Sequence, residues 1–92
     1  MSYQLKLTKK ADEDIAFHVK SGDKAILKKI LKLFQELKEH PTTGTGHPEP
    51  LRYGKSGQWS RKITDKHRLV YEVFEAEVLV EVVQAKDHYN DK

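Results

Sequence analysis

General acid–base chemistry needs a base, an acid and a fixed positive charge that stabilises the charge developing between them, and this chain offers one of each. Glu49 lies between Pro48 and Pro50, whose restricted backbones hold its carboxylate rigidly at the entry to a predicted sheet. Arg68 begins an apolar strand-like run, where a guanidinium can bind a phosphate with paired donors. His88 follows the last such run, and an imidazole with an ordinary pKa of about 6.5 exchanges protons near neutrality.

Each of these three residues also has an ordinary structural interpretation. A loop glutamate and a lone histidine are most often simply solvated, so local sequence favours that interpretation for Glu49 and His88. An arginine that begins a strand is equally consistent with an edge residue whose aliphatic stem covers apolar surface. Spacing alone therefore leaves both the structural and the chemical role open.

Further basic and aromatic residues lie close in sequence to these candidates. Tyr89 can stack on a nucleobase, and Arg52 and Tyr53 can flank the same cleft, although each is also typical of surface or partly buried positions. In the strand that follows, alternation puts Arg61 and Lys62 on opposite faces. At least one face of the predicted sheet therefore carries a basic group.

Several other kinds of site are not predicted. The sequence has no cysteine, and its five histidines lie far apart, with no pair at ligand spacing and no cluster of carboxylates around them. No serine sits in a glycine-flanked nucleophile elbow. Gly44 and Gly46 precede a loop rather than a helix, unlike the glycines of Walker or Rossmann phosphate loops.

Length and composition predict one domain over residues 1–92, because a chain of this size buries only roughly 60–65% of its unfolded surface. The 17 Lys and Arg against 14 Asp and Glu leave a net charge of +3, which is compatible with a phosphate-bearing partner. No apolar run has signal-peptide character or the roughly 20 residues of a membrane span. We therefore expect a cytoplasmic protein that does not bind membranes.

The N-terminal half is predicted to form a strand and two helices. Alternation over Tyr3–Leu7 predicts the strand, after which Thr8 can cap a helix over Lys9–Lys20. Gly22 then ends this helix, and Asp23 caps the next one, over residues 24–40. The apolar residues expected to face the core are Ala11, Ile15 and Val19 in the first helix and Leu27, Ile30, Leu31, Phe34 and Leu37 in the second.

The C-terminal half is predicted to form an antiparallel meander. A loop rich in Thr, Gly and Pro, over Pro41–Pro50, leads into strand-like runs at Gln58–Ile63, Arg68–Phe74 and Val78–Ala85. The order predicts an α+β fold in which an N-terminal strand and a helical hairpin pack on one face of a mainly antiparallel sheet. The lysine row on the second helix is interpreted as a solvated face, with a phosphate-facing row as the alternative.

Four motifs occur in an order that resembles one protein family. The segments GHPEPLR, SGQWSRKIT, HRLVYEV and a terminal HY are similar to the YoeB/Txe family of bacterial toxins within the RelE superfamily, and the helical hairpin fits in length. The resemblance implies a RelE-like, microbial-RNase-like fold and the toxin component of a type II toxin-antitoxin system. It also implies a ribosome-associated endoribonuclease that cleaves mRNA in the A site by 2′-OH attack and so inhibits translation.

The resemblance also implies roles for individual residues and partners. The general base falls on Glu49, the phosphate-binding arginine on Arg68 and the general acid on His88, with Arg52 and Tyr89 at supporting positions of the site. Trp59 is then assigned to the core, and the expected substrate contacts extend to Tyr53, Arg61 and Lys62. The implied partners are a YefM/Axe-like antitoxin, the 70S ribosome and mRNA; no metal or cofactor is implied, and a homodimer is known among relatives.

The chain departs from the family pattern in three places. Lys62 stands where a second arginine is more common, and His47 where a lysine is common, while Asn90–Lys92 extend beyond the usual terminal tyrosine. Two other functions stay open. They are a toxin of the same superfold that binds DNA gyrase, as the ParE branch does, and a small module that binds RNA without cutting it.

Overall fold

The computed structural model describes residues 2–51 and 57–87. Within these residues the elements are β1 (Gln4–Leu7), α1 (Lys9–Ser21), α2 (Lys24–Glu39), β2 (Glu49–Pro50), β3 (Gln58–Lys62), β4 (Arg68–Phe74) and β5 (Leu79–Gln84). The strands form one sheet in the order β1-β5-β4-β3-β2, in which β1 runs parallel to β5 and the other pairs are antiparallel. The predicted α+β architecture with a mainly antiparallel sheet is confirmed.

Local side-chain chemistry sets the limits of the helical hairpin. Thr8 Oγ1 accepts a hydrogen bond from the Ala11 N–H at 3.1 Å, and Asp23 Oδ1 accepts one from the Ile26 N–H at 3.2 Å. Gly22 ends α1 in the left-handed conformation, with φ 75°, which costs a glycine little. All three signals were predicted from sequence, and neither helix of the described residues is long and apolar enough to cross a membrane.

The helices bury Ala11, Ile30 and Leu37 as predicted, but two other predicted core residues are exposed. In α2, Leu33 is fully buried, whereas Leu31, predicted to face the core, is 65% exposed. In α1, Val19 is exposed, and the buried residues are Ala11, Asp14 and His18. Successive residues are about 100° apart around a helix, so several apolar stripes were compatible with the pattern, and the tilt of each helix on the sheet selected one.

The sheet has one face covered by the helices and one face turned away from them. Residues that alternate along the central strands pack with α1 and α2 in one apolar cluster, namely Leu69, Tyr71, Val73, Val80 and Val82. Trp59 is partly buried and packs against the same cluster, as predicted. Residues of opposite parity, including Lys62 and Arg68, project from the other face, which we call the open face.

Arg61 points into the helix-covered face and is fully buried. Each N–H of its guanidinium group has an acceptor. Nη1 donates to Glu36 Oε1 at 2.7 Å and to Thr45 O at 3.3 Å. Nη2 donates to His40 O at 2.8 Å and to Thr43 O at 2.6 Å, and Nε donates to the Tyr71 hydroxyl at 3.1 Å. One side chain of β3 therefore ties α2, β4 and the loop after α2 together.

The partners of Arg61 are held in the charge states that this arrangement needs. Burial alone would raise the pKa of Glu36, but hydrogen bonds from the Thr45 side chain and backbone, together with Arg61, lower it below its ordinary value. Burial raises the pKa of Tyr71 and outweighs the opposing effect of Arg61. The Tyr71 hydroxyl therefore keeps its proton, which it donates to Pro41 O at 2.6 Å.

The two leucines of α2 provide a matched test of the packing. Leu33→Ala is expected to lower the free energy of unfolding by about 2–5 kcal/mol, because it leaves a cavity in the core. Leu31→Ala is expected to change it by less than about 0.5 kcal/mol, since Leu31 is mostly exposed. Urea unfolding followed by circular dichroism measures both, and equal losses would contradict the packing described above.

The neighbouring cations of β3 test the role of Arg61. Arg61→Gln is expected to destabilise the fold by about 3–5 kcal/mol, because it removes the cation that pairs with Glu36 and leaves three loop carbonyls without their donor. Lys62→Gln is the control and is expected to cost less than about 1 kcal/mol, since its ion pair with Asp65 is exposed. If Arg61→Gln and Lys62→Gln have the same free energy of unfolding, the buried hydrogen bonds of Arg61 do not stabilise the fold.

Candidate active site

The open face carries three of the predicted site residues on three adjacent strands. Glu49 of β2 lies opposite Ser60 of β3, and Lys62, two residues further along β3, lies opposite Arg68 of β4. Paired residues, and residues two apart on a strand, share a face of the sheet. The sheet register therefore brings Glu49, Lys62 and Arg68 together on the open face.

Glu49 and Arg68 are in direct contact. Arg68 Nη1 lies 3.3 Å from Glu49 Oε1, and the two side chains are 29% and 58% exposed. A solvent-exposed ion pair contributes only about 0–1 kcal/mol to stability, so the stability of the fold does not explain why these two residues are placed together. Both groups are accessible to a ligand that approaches the open face.

Lys62 and Arg68 place two positive charges side by side. Their Cα atoms are partners in the β3–β4 ladder, a position where like charges repel one another. Lys62 Nζ is 2.6 Å from Asp65 Oδ1, but the Asp65 carboxylate is almost fully exposed and easily displaced. Two adjacent cations can bind an anion such as a phosphate. The carboxylate beside them can accept a proton from a neighbouring group.

The loop before β2 sets the position of Glu49. Arg61 binds three carbonyls of this loop, and the Lys62 N–H donates to Gly46 O at 2.7 Å. Gly46 has φ 85°, and a Cβ there would lie 2.8 Å from Lys62 O, so a side chain would push the loop away from β3. On the other side of Glu49, the Leu51 N–H donates to Gln58 O at 3.0 Å.

The sequence assigned Arg61 to substrate contact, and the structure corrects this assignment. Arg61 is fully buried on the helix-covered face, with all its donors bound inside the protein, so it anchors the loop that carries Glu49. Glu36, its ionic partner, was not identified from sequence. The available signal was an acidic residue within a lysine-rich helix, one residue before the buried Leu37.

Four predicted site residues fall outside the part of the chain that the structure describes: Arg52, Tyr53, His88 and Tyr89. The last described residue before His88 is Asp87, whose carbonyl accepts a hydrogen bond from the Arg68 N–H at 3.0 Å. The chain segment that leads to His88 is therefore bonded to the residue that carries the predicted phosphate-binding side chain.

The sequence matches, over residues 7–89, the model of a family described as YoeB-like toxins of bacterial type II toxin-antitoxin systems. Toxin YoeB of Escherichia coli (strain K12) is 48% identical over 58 residues, which are 63% of this chain and 69% of that protein. The solved YoeB/ParE toxin from Agrobacterium tumefaciens has a TM-score of 0.85 and 37% identity, covering 94% of this chain and 99% of that one.

Two further solved structures, of YoeB from Staphylococcus aureus, share the fold. One is a YoeB dimer, with a TM-score of 0.82 and 30% identity, and the other is a YoeB–YefM complex, with 0.78 and 29%. Each covers 97% of this chain and 100% of the matched chain. Because the family match spans most of the sequence and the whole architecture is shared, this chain belongs to the family of YoeB-like toxins of bacterial type II toxin-antitoxin systems.

Proposed function

We propose that this toxin is a ribosome-associated endoribonuclease that cleaves mRNA in the A site and so inhibits translation. The observation that carries the proposal is the accessible contact between Glu49 and Arg68 on the open face, beside Lys62. This arrangement supplies a proton acceptor next to phosphate-binding cations, as cleavage of a phosphodiester requires. Membership of a toxin family supports an activity that is harmful to the cell.

In the proposed reaction the ribose 2′-OH is the nucleophile. The Glu49 carboxylate accepts the proton of this hydroxyl, whose oxygen attacks the adjacent phosphorus. The bond from phosphorus to the 5′-oxygen breaks, and His88 donates a proton to the departing oxygen. The products are a 2′,3′-cyclic phosphate and a 5′-hydroxyl, so the proton taken by Glu49 is balanced by the one that His88 gives.

Arg68 and Lys62 are proposed to bind the phosphate that reacts. A guanidinium can donate two parallel hydrogen bonds to phosphoryl oxygens, whereas the lysine ammonium acts as a point charge. A phosphate bound to Arg68 competes with Glu49 for the same donors, since the two side chains are in contact without substrate. Substrate binding thereby releases the carboxylate to accept a proton.

The remaining substrate contacts are proposed from the family resemblance. Arg52 is assigned to the phosphate backbone, and Tyr53 and Tyr89 to stacking on bases, a contact that every base can make through its π-face. Because such contacts are tolerant of sequence, the choice of mRNA site is assigned to the ribosome that presents the codon.

The partners are proposed on the same basis. An antitoxin of the YefM kind is expected to neutralise this toxin, since YoeB from Staphylococcus aureus is found in a YoeB–YefM complex. The same protein forms a dimer, and we propose that this chain also has a homodimeric state. We place its action in the cytoplasm, where ribosomes and mRNA are available.

Primer extension on mRNA bound to purified 70S ribosomes tests the reaction. The wild type is expected to cut in the A site, whereas Glu49→Gln and His88→Ala are expected to cut about 10²–10⁴-fold more slowly, because each loses one proton transfer. Glu77→Gln, which changes an exposed glutamate of the β4–β5 turn, is the matched control and is expected to cut at the wild-type rate.

Three outcomes would overturn the proposal. The first is a wild-type protein that makes no A-site cuts on programmed ribosomes. The second is a Glu49→Gln variant that cuts as fast as Glu77→Gln. The third is toxicity in cells that survives both Glu49→Gln and His88→Ala, which would favour a toxin that binds DNA gyrase or RNA without cutting.

A further inference from the structure

We propose that His67 is a positioning residue which, together with Asp14 and His18 of α1, fixes the backbone of Ala85 and Asp87, the chain that directly precedes the proposed acid His88. We call the three side chains and their bonds to Ala85 and Asp87 the tail clamp. The clamp consists of described residues only, and the inference depends on the proposed function solely for the catalytic role of His88.

The first half of the clamp holds Ala85, which follows β5. The Ala85 N–H donates to Asp14 Oδ2 at 2.9 Å, and His18 Nε2 lies 2.8 Å from Ala85 O. Because a carbonyl oxygen only accepts hydrogen bonds, His18 Nε2 must carry the proton. Both polar backbone groups of Ala85 are therefore bound by side chains from α1.

The second half of the clamp holds Asp87. Its N–H donates to His67 Nδ1 at 2.9 Å, and its carbonyl accepts from the Arg68 N–H at 3.0 Å. Because an N–H only donates, His67 Nδ1 must be unprotonated, so the neutral ring carries its proton on Nε2. His67 and the backbone of Arg68 thus bind Asp87 from both sides.

Core packing does not account for the clamp. Asp14, His18 and His67 are all buried, the rings of His18 and His67 lie 4.8 Å apart, and the buried His18 Nδ1 has no partner among the described residues. Buried polar groups cost free energy unless fully bonded, and apolar residues of similar volume are often at least as stabilising. We therefore interpret the polar cluster as holding the backbone of Ala85 and Asp87 in place rather than as adding to the stability of the core.

The clamp also holds a backbone conformation that a free chain avoids. Asp87 has φ 64°, in the left-handed region that residues other than glycine adopt only rarely. Hydrogen bonds on both sides of this residue keep it there. The clamp therefore fixes the backbone of the residue that directly precedes the proposed acid. Loss of the His67 acceptor leaves Asp87 bonded to the Arg68 N–H alone.

The clamp is sensitive to pH. Burial is the largest effect on the pKa of His67 and lowers it below its ordinary value, and the nearby His18 lowers it further. The Asp87 carboxylate opposes this shift, whereas Lys66 and Lys86 add to it. The neutral, accepting ring is therefore favoured in the folded protein. As the pH falls from about 6.5 through the lowered pKa, a proton on Nδ1 comes to face the Asp87 N–H, and the bond is lost.

Amide hydrogen exchange by NMR tests the clamp without any assay of activity. His67→Asn keeps an acceptor close to the Nδ1 position, whereas His67→Leu removes it. We expect the Asp87 amide to exchange at least about tenfold faster in His67→Leu, and to stay protected in His67→Asn. Ile30→Val, a mild change at a buried residue of α2, controls for a general loss of stability. If His67→Leu does not fold, His67→Gln, whose amide lies at the Nε2 position, takes its place.

Cleavage on programmed ribosomes then tests the consequence. His67→Leu is expected to lose about 10–100-fold in kcat with a smaller rise in KM, because the acid and Tyr89 are displaced together while Arg68 and Lys62 still bind the phosphate. His67→Asn is expected to recover most of this loss. In the wild type, protonation of His67 is expected to lower kcat at acid pH, and His67→Asn is expected to lack this fall because asparagine does not titrate.

The two arms separate failure of the inference from failure of the proposed function. Equal exchange and equal kcat in His67→Leu, His67→Asn and Ile30→Val would overturn the positioning role. A wild type that never cuts mRNA, combined with the expected exchange pattern, would overturn the proposed function and leave the clamp in place. Faster exchange at Asp87 with an unchanged kcat would show that the clamp does not act on His88, and would also overturn the inference.

Discussion

The buried guanidinium of Arg61 holds α2, β4 and the loop before β2 together. A fixed positive charge inside so small a domain is tolerable only if every donor is bound, and the protein supplies acceptors from α2, from β4 and from the loop between α2 and β2. Because those acceptors come from separate parts of the chain, none can move without leaving a buried N–H of Arg61 without its acceptor. The network thereby converts a loop rich in Gly, Thr and Pro into a rigid support for Glu49.

Strand alternation separates support from chemistry. Arg61 and Leu69 point into the helix-covered face, and their neighbours Lys62 and Arg68 point to the open face. The inner cation is satisfied and inaccessible, whereas the outer ones repel each other and lie beside an exposed carboxylate. Rigid scaffolds commonly present functional groups from their edges and loops in this way. The same two strands therefore serve both purposes.

Both proposed proton-transfer residues are approached by irregular chain that buried polar contacts hold in place. The loop before Glu49 is fastened by Arg61 and passes close to β3 at Gly46, while the segment before His88 is fastened by His67 and two residues of α1. Left-handed backbone occurs shortly before each, at His47, two residues before Glu49, with φ 52°, and at Asp87 with φ 64°. Such conformations persist only where surrounding contacts over-determine them, and they concentrate at functional sites.

Features that depend on neighbours in sequence were predictable from the sequence alone. The caps at Thr8 and Asp23, the stop at Gly22, the order of elements and the opposite faces of Arg61 and Lys62 follow from capping chemistry and residue periodicity. The motifs around Glu49 and Arg68 also indicated the family that the comparisons show.

Long-range packing sets which surfaces are buried and which polar partners meet. It buries Leu33 and leaves Leu31 exposed, and it places Arg61 inside the protein. It also brings Asp14, His18 and His67 into contact with a segment about seventy residues from α1 in sequence. Several helical stripes are compatible with one apolar pattern. The sequence around a polar residue does not show which distant residue its side chain will bind. Burial and pairing are set by long-range packing, which periodicity does not encode.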